Sequence, residues 1–212
     1  QVFSSNYTLY GDMSQRVMET LEQFCPDLEV YSIDEAFLSL LGFERRNLTD
    51  YGQQIRRTVK QWTGIPVSVG IAETKTLAKL ANWIAKRTPD TGSVCNLLTC
   101  ADRGALLGRI AVEDVWGIGP NHARLLKQHG ITTAGQLRGV DDQWIRKRLG
   151  IVGLRLVMEL RGVSCLDLDQ CPATKQSLTC SRAFGKLIST LTEMEEAVSV
   201  YTSRVAEKLR RE

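Results

Sequence analysis

A chain of 212 residues that is 43% hydrophobic and 24% charged has enough apolar content for one large domain or two to three small ones. No apolar run reaches membrane-spanning length and no secretory signal opens the chain, which excludes a spanning helix and points to a soluble, cytoplasmic protein with no membrane partner. Six cysteines are spread without a Cys-x-x-Cys pair, and Cys95 and Cys100 have no neighbouring His, which argues against zinc and for reduced, mostly buried thiols.

The net charge of +3 is modest, but its distribution is uneven. Residues 1–40 carry seven acids against Arg16, a net of −6, and residues 117–162 carry eight bases against Asp141, Asp142 and Glu159, a net of +5. An acidic part beside a basic part fits a metal-binding region next to a polyanion-binding one, although two solvated surfaces account for it equally well.

In chain order, Met13, Val17, Leu21 and Phe24 recur at helical spacing, and Pro26 ends that run. The stretch Tyr31-Ser32-Ile33-Asp34-Glu35-Ala36-Phe37 alternates as a strand does, and continues through Leu38 and Leu40 to Gly42. A strand sends Asp34 and Glu35 to opposite faces unless it bends or ends there. Two adjacent acids amid apolar neighbours are costly to bury unless a cation meets them, and a solvated turn is the ordinary explanation. Carboxylates held on a sheet are also a common way to bind magnesium for phosphoryl transfer.

Thr49 is positioned to cap a helix with a buried stripe of Tyr51, Ile55, Val59 and Trp62, and Gly64 breaks it. Ile65, Val67, Val69 and Ile71 alternate as a second strand, and a helix over 74–86 buries Leu77, Leu80, Ala81 and Ile84. Gly70 to Thr76 suggests a phosphate loop only superficially, because the second glycine and the Gly-Lys-Ser/Thr order are missing. The helix carries Lys75, Lys79 and Lys86, and a lone helical lysine is ordinarily a solvated charge. This order of elements predicts an α+β sheet domain with helices on one face.

From Thr99 a second, helical and basic domain begins. Gly117-Ile118-Gly119-Pro120 followed by Ala123, Leu126 and Gly130-Ile131-Thr132 is the helix-hairpin-helix pattern. Its glycines allow a tight turn, and the amides opening the next helix face a DNA phosphate, which sets position without reading sequence. A further helix over 145–161 has Leu149, Val152, Leu156 and Leu160 on its apolar side, and residues 164–172 read as a linker. Residues 175–184 alternate as a strand, and Thr192-Glu193-Met194-Glu195 is a capping box opening a last helix with Met194, Val198, Tyr201, Val205 and Leu209 as its buried stripe.

Ser-Ile-Asp-Glu-Ala-Phe resembles the palm motif of the Y-family, the translesion DNA polymerases. Ser4-Ser5-Asn6-Tyr7, Gly70-Ile71-Ala72-Glu73-Thr74-Lys75-Thr76-Leu77-Ala78-Lys79-Leu80-Ala81-Asn82, Asp114-Val115-Trp116-Gly117-Ile118-Gly119 and Thr174-Lys175-Gln176 carry the same likeness in the family's order. The text is similar to the UmuC-like branch, the catalytic subunit of DNA polymerase V and its plasmid-borne relatives.

The resemblance implies an end of fingers and most of a palm over 1–97, a helix-hairpin-helix thumb over 98–162, a linker over 163–173 and the beginning of an α+β little finger over 174–212. It implies a metal-ligand and catalytic role for Asp34 and Glu35, with two magnesium ions, and a triphosphate contact for Lys86. That last position departs from the family pattern, since Arg87 and Thr88 separate it from Pro89. Contacts to DNA fall to Gly117, Ile118, Gly119 and Lys127, and more weakly to Lys175 and Arg182. Primer-template DNA, a deoxynucleoside triphosphate, a UmuD-like accessory dimer, a RecA filament and a sliding clamp are the implied partners, with nucleoid association during repair. The family's first palm strand, with a further metal-binding Asp, is expected before Gln1, so the chain reads as an internal fragment, inactive alone. A non-catalytic DNA-binding helix-hairpin-helix protein explains the basic segment but not Asp34, Glu35 and Lys86. A nucleotidyl cyclase shares the palm-like sheet but has no need of the helical domain.

Overall fold

In a computed structural model, described over residues 5–88, 91–169 and 177–210, the chain forms two compact units, residues 1–170 and 171–212. The α+β class expected from the sequence is what the first unit shows: helices predominate around two small sheets.

Helix α1, Tyr7–Leu21, starts a turn and a half before the predicted run because the Asn6 side chain caps it at the Leu9 amide. A 3-10 turn, Glu22–Phe24, closes it ahead of Pro26. The predicted acidic strand is instead a hairpin. β1, Leu28–Val30, pairs antiparallel with β2, Ala36–Leu38, and residues 31–35 form the turn between them. Alternation at 30–37 misled because turn residues lie inside it. The Tyr31 and Ser32 amides both donate to the Glu35 carbonyl, and the Ser32 hydroxyl sits 2.7 Å from Asp34 Oδ1, a local side-chain bond that favours a turn over a ladder.

Helix α2, Leu48–Thr63, is capped by Asn47 rather than Thr49, since the Asn47 side chain accepts from the Thr49 and Asp50 amides. Gly64 stops it in the left-handed region at φ 77°, as glycine does after a helix. Tyr51, Ile55 and Val59 are buried as expected, but Trp62 is 58% exposed. Only Val69–Ile71 of the second predicted strand forms β3, which pairs parallel with β4, Val94–Asn96. Two separate two-stranded sheets thus replace the one expected.

Helix α3, Lys75–Arg87, connects β3 to β4 and is capped by Thr74. It lies very close to β3: a Cβ on Gly70 would stand 2.2 Å from the Ala78 carbonyl oxygen and the Asn82 nitrogen, so only glycine fits there. Its buried side, Leu77, Leu80, Ala81, Ile84 and Ala85, joins one continuous core with Leu107, Ile110, Leu126, Leu137, Ile145 and Leu160. A smaller core of Val17, Phe24, Tyr51, Ile55 and Val59 sits under the hairpin side.

The helical part consists of α4 (Arg103–Gly108), α5 (Pro120–Gln128), α6 (Ala134–Arg138) and α7 (Asp142–Leu160). Thr133 and Gln136 form a reciprocal capping box at α6. α7 is interrupted at Gly150, whose φ of 74° and ψ of −169° belong to glycine alone, and beyond it Leu156, Val157 and Leu160 are buried while Val152 is exposed.

In the second unit α8, Leu191–Leu209, starts two residues early: Thr190 caps it at the Glu193 amide, not Thr192. None of its residues is buried, so the expected stripe is not a core. Residues 177–184 contain no strand, against the alternating pattern, and 175 and 176 lie outside the described residues. Among the described thiols only Cys95 is buried, so the expectation of mostly buried cysteines fails. Burial and the neighbouring Asp27 and Glu22 push the Cys25 thiol up to about 11.

Candidate active site

The hairpin turn presents its two acids differently. Asp34 is exposed, with one oxygen on Ser32, whereas Glu35 is half-buried and its Oε2 lies 2.5 Å from Lys79 Nζ. Lys79 stands in the first turn and a half of α3, with its ammonium 4.7 Å above the Tyr31 ring and 5.7 Å from the Trp116 ring. Tyr31 packs edge-on against Trp116 with centroids 5.5 Å apart, and Trp116 Nε1 donates to the Tyr31 hydroxyl at 3.0 Å. Phe37 closes the cluster against both rings. The cation that a half-buried acid requires is therefore supplied by α3, and aromatic faces supply the rest of its surroundings.

A second pair lies one turn earlier on the same face. Lys75 bonds Glu29, and both side chains are only 11% exposed, so each would be an uncompensated charge without the other. Lys75 also donates to the Asp167 carbonyl at 2.5 Å, and the Asp169 amide donates to Glu29 at 2.7 Å. The segment read as a linker is thus laid over the Lys75–Glu29 pair as far as it is described. Lys86 follows Lys79 by seven residues, about 10 Å along the helix and on the same face. It is exposed, and no described acid pairs with it. Lys75, Lys79 and Lys86 therefore form one cationic stripe leading away from the acidic turn. The sequence pointed to the lysines separately; their spacing of four and seven was the available signal that they act together.

Asp34 and Glu35 suit a hard divalent cation, since both offer carboxylate oxygens from one turn and Asp34 is open to solvent. They are two donors: among the described residues no group of three His, Cys, Asp or Glu side chains is placed to hold a metal.

The glycine hairpin of the helical part forms at the expected place. Gly117 has φ 88°, and a Cβ there would meet Leu156 Cδ1 at 2.8 Å. Gly119 precedes Pro120 at the start of α5 and offers no side-chain cap, so the opening amides have no side-chain acceptor. The Ile118 side chain is buried at 7% exposure and anchors the loop from beneath, leaving only its backbone for an outside partner. Lys127 is bonded to Glu113 at 2.7 Å and holds that carboxyl below its usual range. Both groups are about half exposed, so exchanging this pair for another anion is inexpensive. Arg182 is exposed in the second unit, and Lys175 lies outside the described residues.

Sequence reasoning missed the acid that joins these parts. Glu159 of α7 is fully buried; its Oε2 accepts from the Thr76 amide at 3.0 Å and its Oε1 from the Cys165 amide at 2.7 Å. Its carbonyl accepts from the Thr74 hydroxyl at 2.9 Å. An acid flanked by Leu156, Val157 and Leu160 was the signal.

Residues 1–82 match the impB/mucB/samB family. Protein UmuC of Salmonella typhimurium is 49% identical over 212 residues, covering 99% of this chain and 50% of that protein. Among solved structures, DinB from Sulfolobus solfataricus superposes with a TM-score of 0.61 at 24% identity, over 78% of this chain and 48% of that one. An insertion ternary complex of Dbh DNA polymerase gives 0.60 at 25% identity, over 73% and 44%. The fold is that of Y-family DNA polymerases. Within that fold the chain is similar to the impB/mucB/samB family over residues 1–82 and to UmuC-like proteins over nearly its whole length, and it spans about half the length of the curated relatives it matches.

Proposed function

We propose that the chain is the palm-hairpin and thumb part of an error-prone translesion DNA polymerase, a nucleotidyltransferase that adds deoxynucleotides to a primer opposite damaged template during the SOS response and DNA repair. The observation that carries this reading is the acidic turn, which sets Asp34 and Glu35 at the head of the lysine stripe of α3 in a chain with the UmuC-like sequence. Asp34 and Glu35 would hold magnesium, which when bound supplies charge neutralisation at the reacting phosphate. Lys79 holds the Glu35 carboxylate in place beside the aromatic cluster. Lys86, exposed farther along the stripe and with no acid paired to it among the described residues, neutralises a triphosphate. The open amides after Gly119 hold a phosphate of primer-template DNA, with Lys127 exchanging Glu113 for the backbone.

The domain limits at 97, 162 and 173 belong to the same proposal, as do contacts of Lys175 and Arg182 with DNA. So do a UmuD-like dimer, a RecA filament and a sliding clamp as partners, and a cytoplasmic, nucleoid-associated place of work. A site for two magnesium ions takes more carboxylate than Asp34 and Glu35 supply, so the 212 residues alone are expected not to extend a primer.

The test is primer extension with magnesium and four deoxynucleotides, comparing a full-length protein with its Asp34→Ala variant, with DNA binding followed by gel shift. Extension lost in the variant and binding retained is the expected result. Binding without extension by either protein, with accessory partners supplied, overturns the polymerase reading in favour of a non-catalytic DNA-binding protein.

A further inference from the structure

Glu159 has an unusual set of attachments for a helical acid. It is inaccessible to solvent, yet among the described residues neither of its carboxylate oxygens meets a cation; both accept backbone amides from other segments. One of these, the Thr76 amide, opens α3, where the helix dipole favours a negative charge. The Thr74 hydroxyl, which caps α3 at the Leu77 amide, also donates to the Glu159 carbonyl. Thr74 and Thr76 are themselves buried at 4% and 1% exposure. The last turns of α7 therefore grip α3 at its first turn, from both the side chain and the backbone of a single residue.

What α3 carries just beyond that grip is Lys75 on Glu29 and Lys79 on Glu35. The path from Glu159 to the acidic turn is continuous: carboxylate to Thr76 amide, one turn of helix, Lys79 ammonium, Glu35 carboxylate. Each link is a charged or backbone hydrogen bond inside a half-buried or buried setting, where such bonds are strong and their loss is felt. We infer that Glu159 is a positioning residue for the Asp34 and Glu35 turn, acting through α3 from the helical part of the molecule. Its relevance to catalysis rests on the polymerase reading above, whereas its control of the turn's position does not.

Glu159→Gln preserves the shape but turns one acceptor into an amino group facing an N–H donor. Thr74→Val loosens the same joint from the opposite side and uncovers no charge. Both are made in the full-length protein and followed by hydrogen exchange and by steady-state primer extension. The Tyr31 and Ser32 amides, which close the turn on the Glu35 carbonyl, are expected to exchange about tenfold faster in both variants, while α2 amides keep their rates. The turnover number for nucleotide addition is expected to fall about tenfold, with the KM for deoxynucleotide and the affinity for DNA changed by less than about twofold. Unchanged turn amides in both variants overturn the proposal whatever happens to turnover. Faster turn amides with unchanged turnover overturn the catalytic half of it. If Glu159→Gln unfolds, so that α2 amides accelerate too, Thr74→Val decides alone. Should Asp34→Ala still extend primers, the polymerase reading fails, and the exchange data continue to judge the role of Glu159.

Discussion

Helices α7 and α8 are both 19 residues long, and both show apolar residues at helical spacing. α7 buries Ile145, Leu149, Leu156, Val157 and Leu160 despite a break at Gly150. α8 is unbroken and buries none of its residues, with Leu191 at 74% and Val198 at 56% exposure. Spacing and caps suffice to set a helix, but a core needs a second element whose apolar face is presented to it. α7 has α3 and α6 as neighbours, whereas among the described residues of its own unit α8 has one ring contact, between Tyr201 and Phe184 at 6.5 Å.

That contrast can be tested by substitution, and the effects should descend steeply. Leu160→Ala leaves a cavity in the shared core, and a loss of about 2–5 kcal/mol is expected in urea unfolding. Thr190→Ala removes the cap of α8 and should cost about 1 kcal/mol, visible as reduced helicity of the second unit while the first keeps its unfolding midpoint. Val198→Ala should fall within about 0.5 kcal/mol of the parent. A Val198→Ala loss as large as that of Leu160→Ala would show that α8 is packed in solution and erase the distinction. A silent Leu160→Ala would erase it from the other side.

The same contrast explains what was legible in the sequence. Helices α2, α3, α5 and α7 were readable because each carries a periodic apolar stripe and an identifiable stop, such as Gly64 or Gly130. The glycine hairpin at 117–119 was readable because the left-handed turn at Gly117 can be satisfied by few other residues. The acidic turn was misread because a period of two does not distinguish a strand from a short hairpin; the cue was the Ser32 and Asp34 pair, whose side chains favour local bonds. The alternation at 177–184 failed for the opposite reason, since a strand needs a partner ladder and none is present among the described residues of that unit. Asp34, Glu35 and Lys86 stand out in the sequence as candidates for chemistry, but the pairing of Glu35 with Lys79 depends on residues 44 positions apart. The role of Glu159 depends on a separation of 83 from Thr76, beyond any local pattern.

Helix α3 has one further consequence. It presses against β3 at Gly70 on one side and supplies a face of the large core on the other, so the sheet and the helical bundle share a wall. The domain limit proposed near residue 97 is then not a boundary of folding. Heat or denaturant should melt both sides of it in a single cooperative transition, and the slowest amides of α3 and α7 should open together, as members of one exchange unit. A chain ended after Leu97 would leave Leu77, Leu80 and Ile84 facing water and would not be an autonomous domain.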